Sequence, residues 1–209
     1  MPKKEAPLEY LNHFIPEGAS QLVLDYLHQY KVHLTITRER KTVLGDYRNA
    51  VDGKNHRISV NGNLNKFAFL ITLIHELAHL VTFMGYGNRV KSHGKEWKYI
   101  YAKMLEDFLK LDIFPSDIVI AFKKTMHDLP ASSCADENLT RVLRAYDQSA
   151  LDGLMLVEEV NEGDLFETDD KRVFRKGKKL RKRFECIEVA TKRVYLFSPL
   201  YEVKTAKAG

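Results

Sequence analysis

Cysteine is scarce in this sequence, with two residues in 209, Cys134 and Cys186. They lie too far apart for a CxxC pair, which excludes a zinc site built from four cysteines and the disulfide framework of small secreted domains. No export signal accompanies them. We therefore expect two buried thiols rather than a disulfide.

Long apolar runs are also missing. No uninterrupted stretch reaches the roughly 18 residues of a membrane-spanning helix, and the basic residues 1–5 are not followed by the apolar core of a signal peptide. We therefore expect a cytoplasmic protein without a membrane partner. The composition, 44% hydrophobic and 29% charged with a net charge of +5, is typical of a globular protein and excludes a disordered chain.

The residue pattern divides the chain near residue 150. Residues 1–150 combine helical periodicity with a few short strands, which predicts an α+β domain with a small antiparallel sheet. The expected helices cover 17–30, 66–83 and 94–109, with shorter ones from 115 and 140, and the expected strands cover 32–37, 44–48 and 56–60. Residues 151–209 predict a small all-β module, with strands at 154–160, 165–168, 172–174, 180–189 and 193–197.

A metal-binding motif lies inside the longest predicted helix. Residues 75–79 read His-Glu-Leu-Ala-His, the HExxH pattern. Positions i and i+4 share one helix face, so both imidazoles can reach one ion. Glu76 stands beside that ion, where it can take a proton from a zinc-bound water and later pass it to the leaving amine.

The alternative interpretation is that residues 75–79 match the HExxH pattern by chance. Such a match would more often fall on an exposed polar segment, whereas this one places two histidines and a glutamate in an otherwise apolar helix. Burying these groups is costly unless something coordinates or pairs them. The sequence therefore favours a metal site.

A catalytic zinc needs a third protein ligand and an open position. His93 and Glu96, at the start of the following helix, are the two candidates. We favour His93, because Glu96 is equally explained as a first-turn residue that the helix dipole stabilises. The alternative for His93 is a simple helix cap.

These residues together resemble the SprT-like zinc metallopeptidases, which are related to the Spartan-type proteases of DNA–protein crosslinks. The resemblance rests on the HExxH motif, on His93-Gly94 with an aromatic at Trp97, and on the short strands before the motif. It covers roughly residues 30–105.

The resemblance implies a zincin-like catalytic domain with one zinc per chain held by His75, His79 and His93, and Glu76 as the catalytic acid and base. It also implies a protein substrate, including one bound to DNA. Many relatives carry a C-terminal zinc ribbon with paired cysteines, whereas this chain has only Cys186 there. The module 151–209 is thus expected to be a degenerate equivalent of that ribbon.

The C-terminal module is basic. Nine cations lie between residues 171 and 183, and aromatic residues flank them. Cations that neutralise phosphates, with exposed aromatics that stack bases, would bind nucleic acid. The candidate residues are Arg175, Lys178, Lys179, Arg181 and Arg183. The alternative is a solvated hairpin whose aromatics lie in the core.

The sequence as a whole predicts a zinc-dependent metalloprotease that acts on protein substrates, with DNA as a further partner. The alternative is a nucleic-acid-binding protein with a structural, non-catalytic zinc site.

Overall fold

A computed structural model of the chain describes residues 7–40, 43–51, 53–125, 137–147 and 153–206. Cys134 lies outside the described residues, and Cys186 is a buried free thiol. The chain forms two compact units, Met1–Leu143 and Arg144–Gly209. The fold is mixed α+β, as predicted, while the domain division at residue 150 stays a prediction.

The α-helices of the described residues, together with two of their three 3-10 segments, lie before residue 145. They are a 3-10 helix at Leu8–His13, α1 (Ser20–Gln29), α2 (Lys66–Tyr86), a 3-10 turn at Gly87–Arg89, α3 (Lys95–Leu109), α4 (Ser116–Thr125) and α5 (Glu137–Arg144).

Helix α2 is the centre of the first unit. Twelve of its residues are buried. Asn65 caps its N-terminus, because the Asn65 side-chain oxygen accepts hydrogen bonds from the N–H groups of Phe67 and Ala68. The helix continues beyond its predicted end at residue 83 and ends at Gly87, whose φ of +59° suits a residue without a side chain.

Within the described residues, Lys66–Arg89 is the one segment that is long and apolar enough to cross a membrane by length and average composition. About two thirds of its most apolar window is buried inside the protein. This burial accounts for its apolar composition.

The sheet of the first unit is mixed, so the predicted antiparallel sheet is wrong in one of its two pairings. Its strands are β1 (His33–Thr37), β2 (Gly45–Arg48) and β3 (Arg57–Asn61), in the order β1-β3-β2. Strand β3 pairs antiparallel with β2 and parallel with β1. The prediction assumed pairing between consecutive strands, whereas β3, the most buried of the three, takes the centre.

Asn61, at the end of β3, holds the chain that leads into β2. Its buried amide donates to the carbonyls of Arg40 and Val43, and its oxygen accepts from Thr37 Oγ1 and Arg40 Nε. Burying such a group requires that its hydrogen bonds be made, so Asn61 fixes the path of the chain on both sides of residues 41–42. This path places β2 on α2.

The second unit is built on a six-stranded sheet in the order β4-β9-β5-β6-β7-β8. All of its pairings are antiparallel. The strands are β4 (Met155–Leu156), β5 (Leu165–Glu167), β6 (Val173–Leu180), β7 (Arg183–Glu188), β8 (Val194–Phe197) and β9 (Glu202–Thr205). Its core contains Val157, Val160, Phe166, Phe174, Cys186 and Val203.

Three elements of this unit differ from the sequence prediction, and one of them is β6, which continues to Leu180 although a strand ending at residue 174 was expected. Of the strand expected at 154–160 only β4 forms, followed by a 3-10 turn at Val157–Glu159, and β9 was not predicted. The turn is stabilised from a distance, because the ammonium group of the buried Lys176 donates to the carbonyls of Glu158 and Val160. A contact with a lysine 16 to 18 residues further along the chain has no local sequence signal.

Asn65→Ala should lower the free energy of unfolding of the first unit by about 1–2 kcal/mol, because it removes the N-cap of α2. Asn65→Asp keeps the capping oxygen but loses the amide donor to the Leu143 carbonyl, so it should recover part of this loss. Urea unfolding followed by the fluorescence of Trp97, the only tryptophan in the chain, measures both variants. Equal stability of the alanine variant and the parent would contradict this role of the cap.

Candidate metal centre

Three histidines converge where the middle of α2 lies next to the N-terminal end of α3. Helix α2 presents His75 and His79 one turn apart, and the segment between the helices returns His93 to them. His75 Nε2 lies 3.1 Å from His79 Nε2 and 3.3 Å from His93 Nε2. One ring nitrogen from each of the three lies within 4.8 Å of the others, so the group can hold a metal ion.

Trp97 forms the wall behind this cluster. The indole is fully buried, and its ring centroid lies 4.7 Å from those of His75 and His93 and 5.3 Å from that of His79. Tyr101 stacks on the other side of Trp97 at 4.9 Å. The packing limits the rotation of all three imidazoles and so preorganises the cluster.

The electrostatics of the cluster favour uncharged imidazoles. Burial, followed by the neighbouring His79 and His93, lowers the pKa of His75 to about 3. Burial and His93 lower the pKa of His79 to about 4, and burial lowers that of His93. Neutral imidazole is the form that binds metals.

The residues present fit a metal cation. Three nitrogen ligands face one point and resist protonation. Within the described residues, His75 Nδ1 is buried without a hydrogen-bond partner. An imidazole so placed is costly to bury, and a cation bound at its other nitrogen would offset this cost.

Glu96, the alternative third ligand, is not a member of this group. It lies in the first turn of α3, where its carboxylate is 4.0 Å from the Lys95 ammonium group. Of the two candidates, the structure brings His93 to the pair.

Glu76 is buried next to the cluster on α2. Burial, with a contribution from Asp46, raises its pKa to about 8, while Arg40 and a hydrogen bond from the Tyr47 N–H act in the opposite direction. A carboxyl group whose pKa lies near neutral pH can both accept and release a proton there.

Gly45 allows β2 to lie against Glu76. A Cβ atom at position 45 would be 2.7 Å from Glu76 Oε1 and 2.7 Å from Thr72 Cγ2, closer than such atoms approach one another. Sequence reasoning assigned no role to Gly45. The signal was a glycine at the start of a short strand, which often marks a close backbone approach.

The five residues predicted to bind nucleic acid lie in the second unit, on or near the β6–β7 hairpin. Arg175, Lys178, Lys179, Arg181 and Arg183 are all exposed. The neighbouring aromatics, in contrast, face the core: Phe174 is fully buried, and Phe184, Tyr195 and Phe197 pack against the same cluster. Phe174 is therefore not exposed for base stacking, and the other three aromatics are only partly exposed.

A comparison with protein-family models matches residues 9–115 to the SprT-like family. The matched region is slightly more than half of the 209 residues and contains the three histidines and Glu76. Comparisons with curated proteins and with solved structures find no match. The family match confirms the resemblance drawn from the motif residues.

The purified parent should bind about one zinc ion per chain, whereas His75→Ala and His93→Ala should retain little, because a site with two ligands holds zinc weakly. Elemental analysis after dialysis measures this, with His28→Ala as the control because His28 is exposed on α1. Cobalt(II) bound beside Trp97 should also quench its fluorescence in the parent. Normal metal content in both cluster variants would exclude the site.

Proposed function

The chain belongs to the SprT-like family, and we propose that it is a zinc-dependent metallopeptidase that hydrolyses peptide bonds in protein substrates. The observation that carries this proposal is the convergence of His75, His79 and His93, with the buried Glu76 next to the first of them. Three nitrogen ligands with a neighbouring carboxylate are the composition of a catalytic site, because a structural zinc site has four protein ligands.

The proposed ligands are the three histidines, held in place by Trp97. A zinc ion there supplies Lewis-acid activation of water and of the substrate carbonyl. The low pKa values of His75 and His79 keep these side chains available as ligands down to acidic pH.

Glu76 is the proposed general base and acid. Its carboxylate takes a proton from the attacking water and returns that proton to the leaving amine. A cation held by the three histidines would favour the carboxylate form and offset the effect of burial. The hydrogen bond from the Tyr47 N–H holds the carboxylate in one orientation.

Strand β2 is proposed to position Glu76. Its approach to α2 depends on Gly45, and the Asn61 hydrogen bonds guide the chain into it. Misplacing a catalytic group by about 1 Å can cost on the order of 100-fold in rate.

A second candidate function is a nucleic-acid-binding protein whose zinc is structural. The exposed cations of the β6–β7 hairpin support an anionic partner, and action on DNA-associated proteins would combine both functions. The buried aromatics weaken this candidate, since base stacking on them would require unpacking the core.

Glu76→Gln separates the two functions. The amide cannot accept the proton, so proteolysis of an unfolded protein such as casein should fall by roughly 100- to 10,000-fold, while zinc content stays at the parent value. Glu96→Gln, one helix away, is the matched control and should retain activity. A Glu76→Gln protein with parental activity would overturn the assignment.

Gly45→Ala should reduce proteolysis roughly tenfold or more without loss of zinc, because the added methyl group displaces the Glu76 carboxylate. Gly85→Ala is the control, since a Cβ atom there meets nothing within 4 Å. The measurement is kcat together with zinc content. Equal kcat in both glycine variants would show that β2 does not position Glu76.

A further inference from the structure

The outer face of β7 and β8 is apolar and exposed. Ile187 and Val194 face each other across the two strands, and Leu196 follows on the same face. Their exposed fractions are 41%, 57% and 52%. The alternate residues, Tyr195 and Phe197, pack inward against the core, so the sheet places a row of aliphatic side chains in water.

Cations border this row at the tip of the β6–β7 hairpin. Lys178, Lys179, Arg181, Lys182 and Arg183 fall within six residues, and all are exposed. An open depression at the tip is lined by two leucines and three of these cations: Leu180, Arg181, Lys182, Arg183 and Leu196.

The charge of the basic run is unevenly neutralised. Lys171 and Arg172 pair with Glu167 and Asp170 at 2.9 and 2.7 Å. In the described part of the chain, no carboxylate lies within 4.0 Å of the ammonium or guanidinium nitrogens of the five tip cations. Glu185 pairs with Leu196 across the two strands and is an acidic residue on the face that carries the aliphatic row. The positive field of the tip is therefore available to a partner.

Strand β8 is also the last strand of the sheet. The Glu188 N–H donates to the Arg193 carbonyl at 2.9 Å. Because hydrogen-bonded and non-hydrogen-bonded pairs alternate in an antiparallel ladder, the N–H and C=O groups of Val194 and Leu196 point away from β7. The Leu196 carbonyl receives a long bond of 3.5 Å from Arg183, which an added strand can replace.

We propose that the β8 edge binds an extended peptide segment by strand addition. The segment carries apolar residues at alternate positions, which contact Val194 and Leu196, and a cluster of acidic residues at the end that lies against the hairpin tip. Backbone hydrogen bonds supply affinity in this mode of recognition, and the alternate side chains supply specificity. This surface goes beyond the proposed peptidase function and does not depend on it.

Charge and side-chain chemistry select this partner over two others. A second copy of the chain paired through β8 would bring cations toward the tip, namely its own tip in a parallel pairing or Lys192 and Arg193 in an antiparallel one, and like charges repel. Nucleic acid would satisfy the cations, but the aliphatic row offers no aromatic face for bases to stack on. A peptide with acidic and apolar residues can pair with the tip cations and also contact the aliphatic row.

The test is fluorescence anisotropy of the full-length chain with a labelled peptide of alternating valine and threonine that ends in four glutamates. We expect saturable binding that weakens with salt. It should weaken at least roughly tenfold in Val194→Thr/Leu196→Thr and in Arg181→Glu/Arg183→Glu. Ile120→Gln, which alters a similarly exposed residue on α4, should bind as the parent does.

Three altered peptides test the mode of binding without any protein variant. Two peptides are methylated at alternate backbone nitrogens, one at the nitrogens that face β8 and one at the nitrogens that face away. The first should not bind, whereas the second should bind. A peptide with lysines in place of the glutamates should not bind either. Binding of both methylated peptides, or binding that persists in Val194→Thr/Leu196→Thr, would overturn strand addition. Tighter binding of a DNA oligonucleotide that depends on Arg181 and Arg183 but not on Val194 and Leu196 would overturn the peptide partner.

Discussion

The burial of His75 and Glu76 in the apolar helix α2, with His79 and His93 half-buried beside them, is the constraint on which the first unit depends. Each of these groups loses solvation that the surrounding leucines and isoleucines of α2 cannot replace. Burial lowers the pKa values of His75 and His79 and raises that of Glu76, so it favours the uncharged form of each group. A bound cation would relieve this cost, so the site couples metal binding to the stability of the core.

The elements around α2 hold these groups in position. Trp97 packs against all three histidine rings, and β2 reaches Glu76 through the gap that Gly45 leaves. The Asn61 amide donates hydrogen bonds to the carbonyls of Arg40 and Val43, on the chain that leads into β2. Site geometry therefore depends on residues that are neither ligands nor bases.

The second unit is held together by a small apolar core. Its aromatic side chains complete a small core, while the apolar row on β7 and β8 and the cations of the hairpin tip remain in water. Exposed edge strands are normally protected against pairing. Strand β8 is short, and Arg183 covers one of its carbonyls at 3.5 Å, yet its aliphatic side chains stay in water beside concentrated charge, which the proposed partner accounts for and stability of the unit does not.

The sequence by itself determined that His75 and His79 share one face of a helix, because the two positions are related by local helical geometry. It also indicated most helices and strands, whose periodicity is local. Only the tertiary structure decided between His93 and Glu96, placed β3 between β1 and β2, and brought Gly45 against Glu76. It also turned Phe174 and its neighbours into the core. These features depend on contacts between residues far apart in the chain, which no local pattern of side chains encodes.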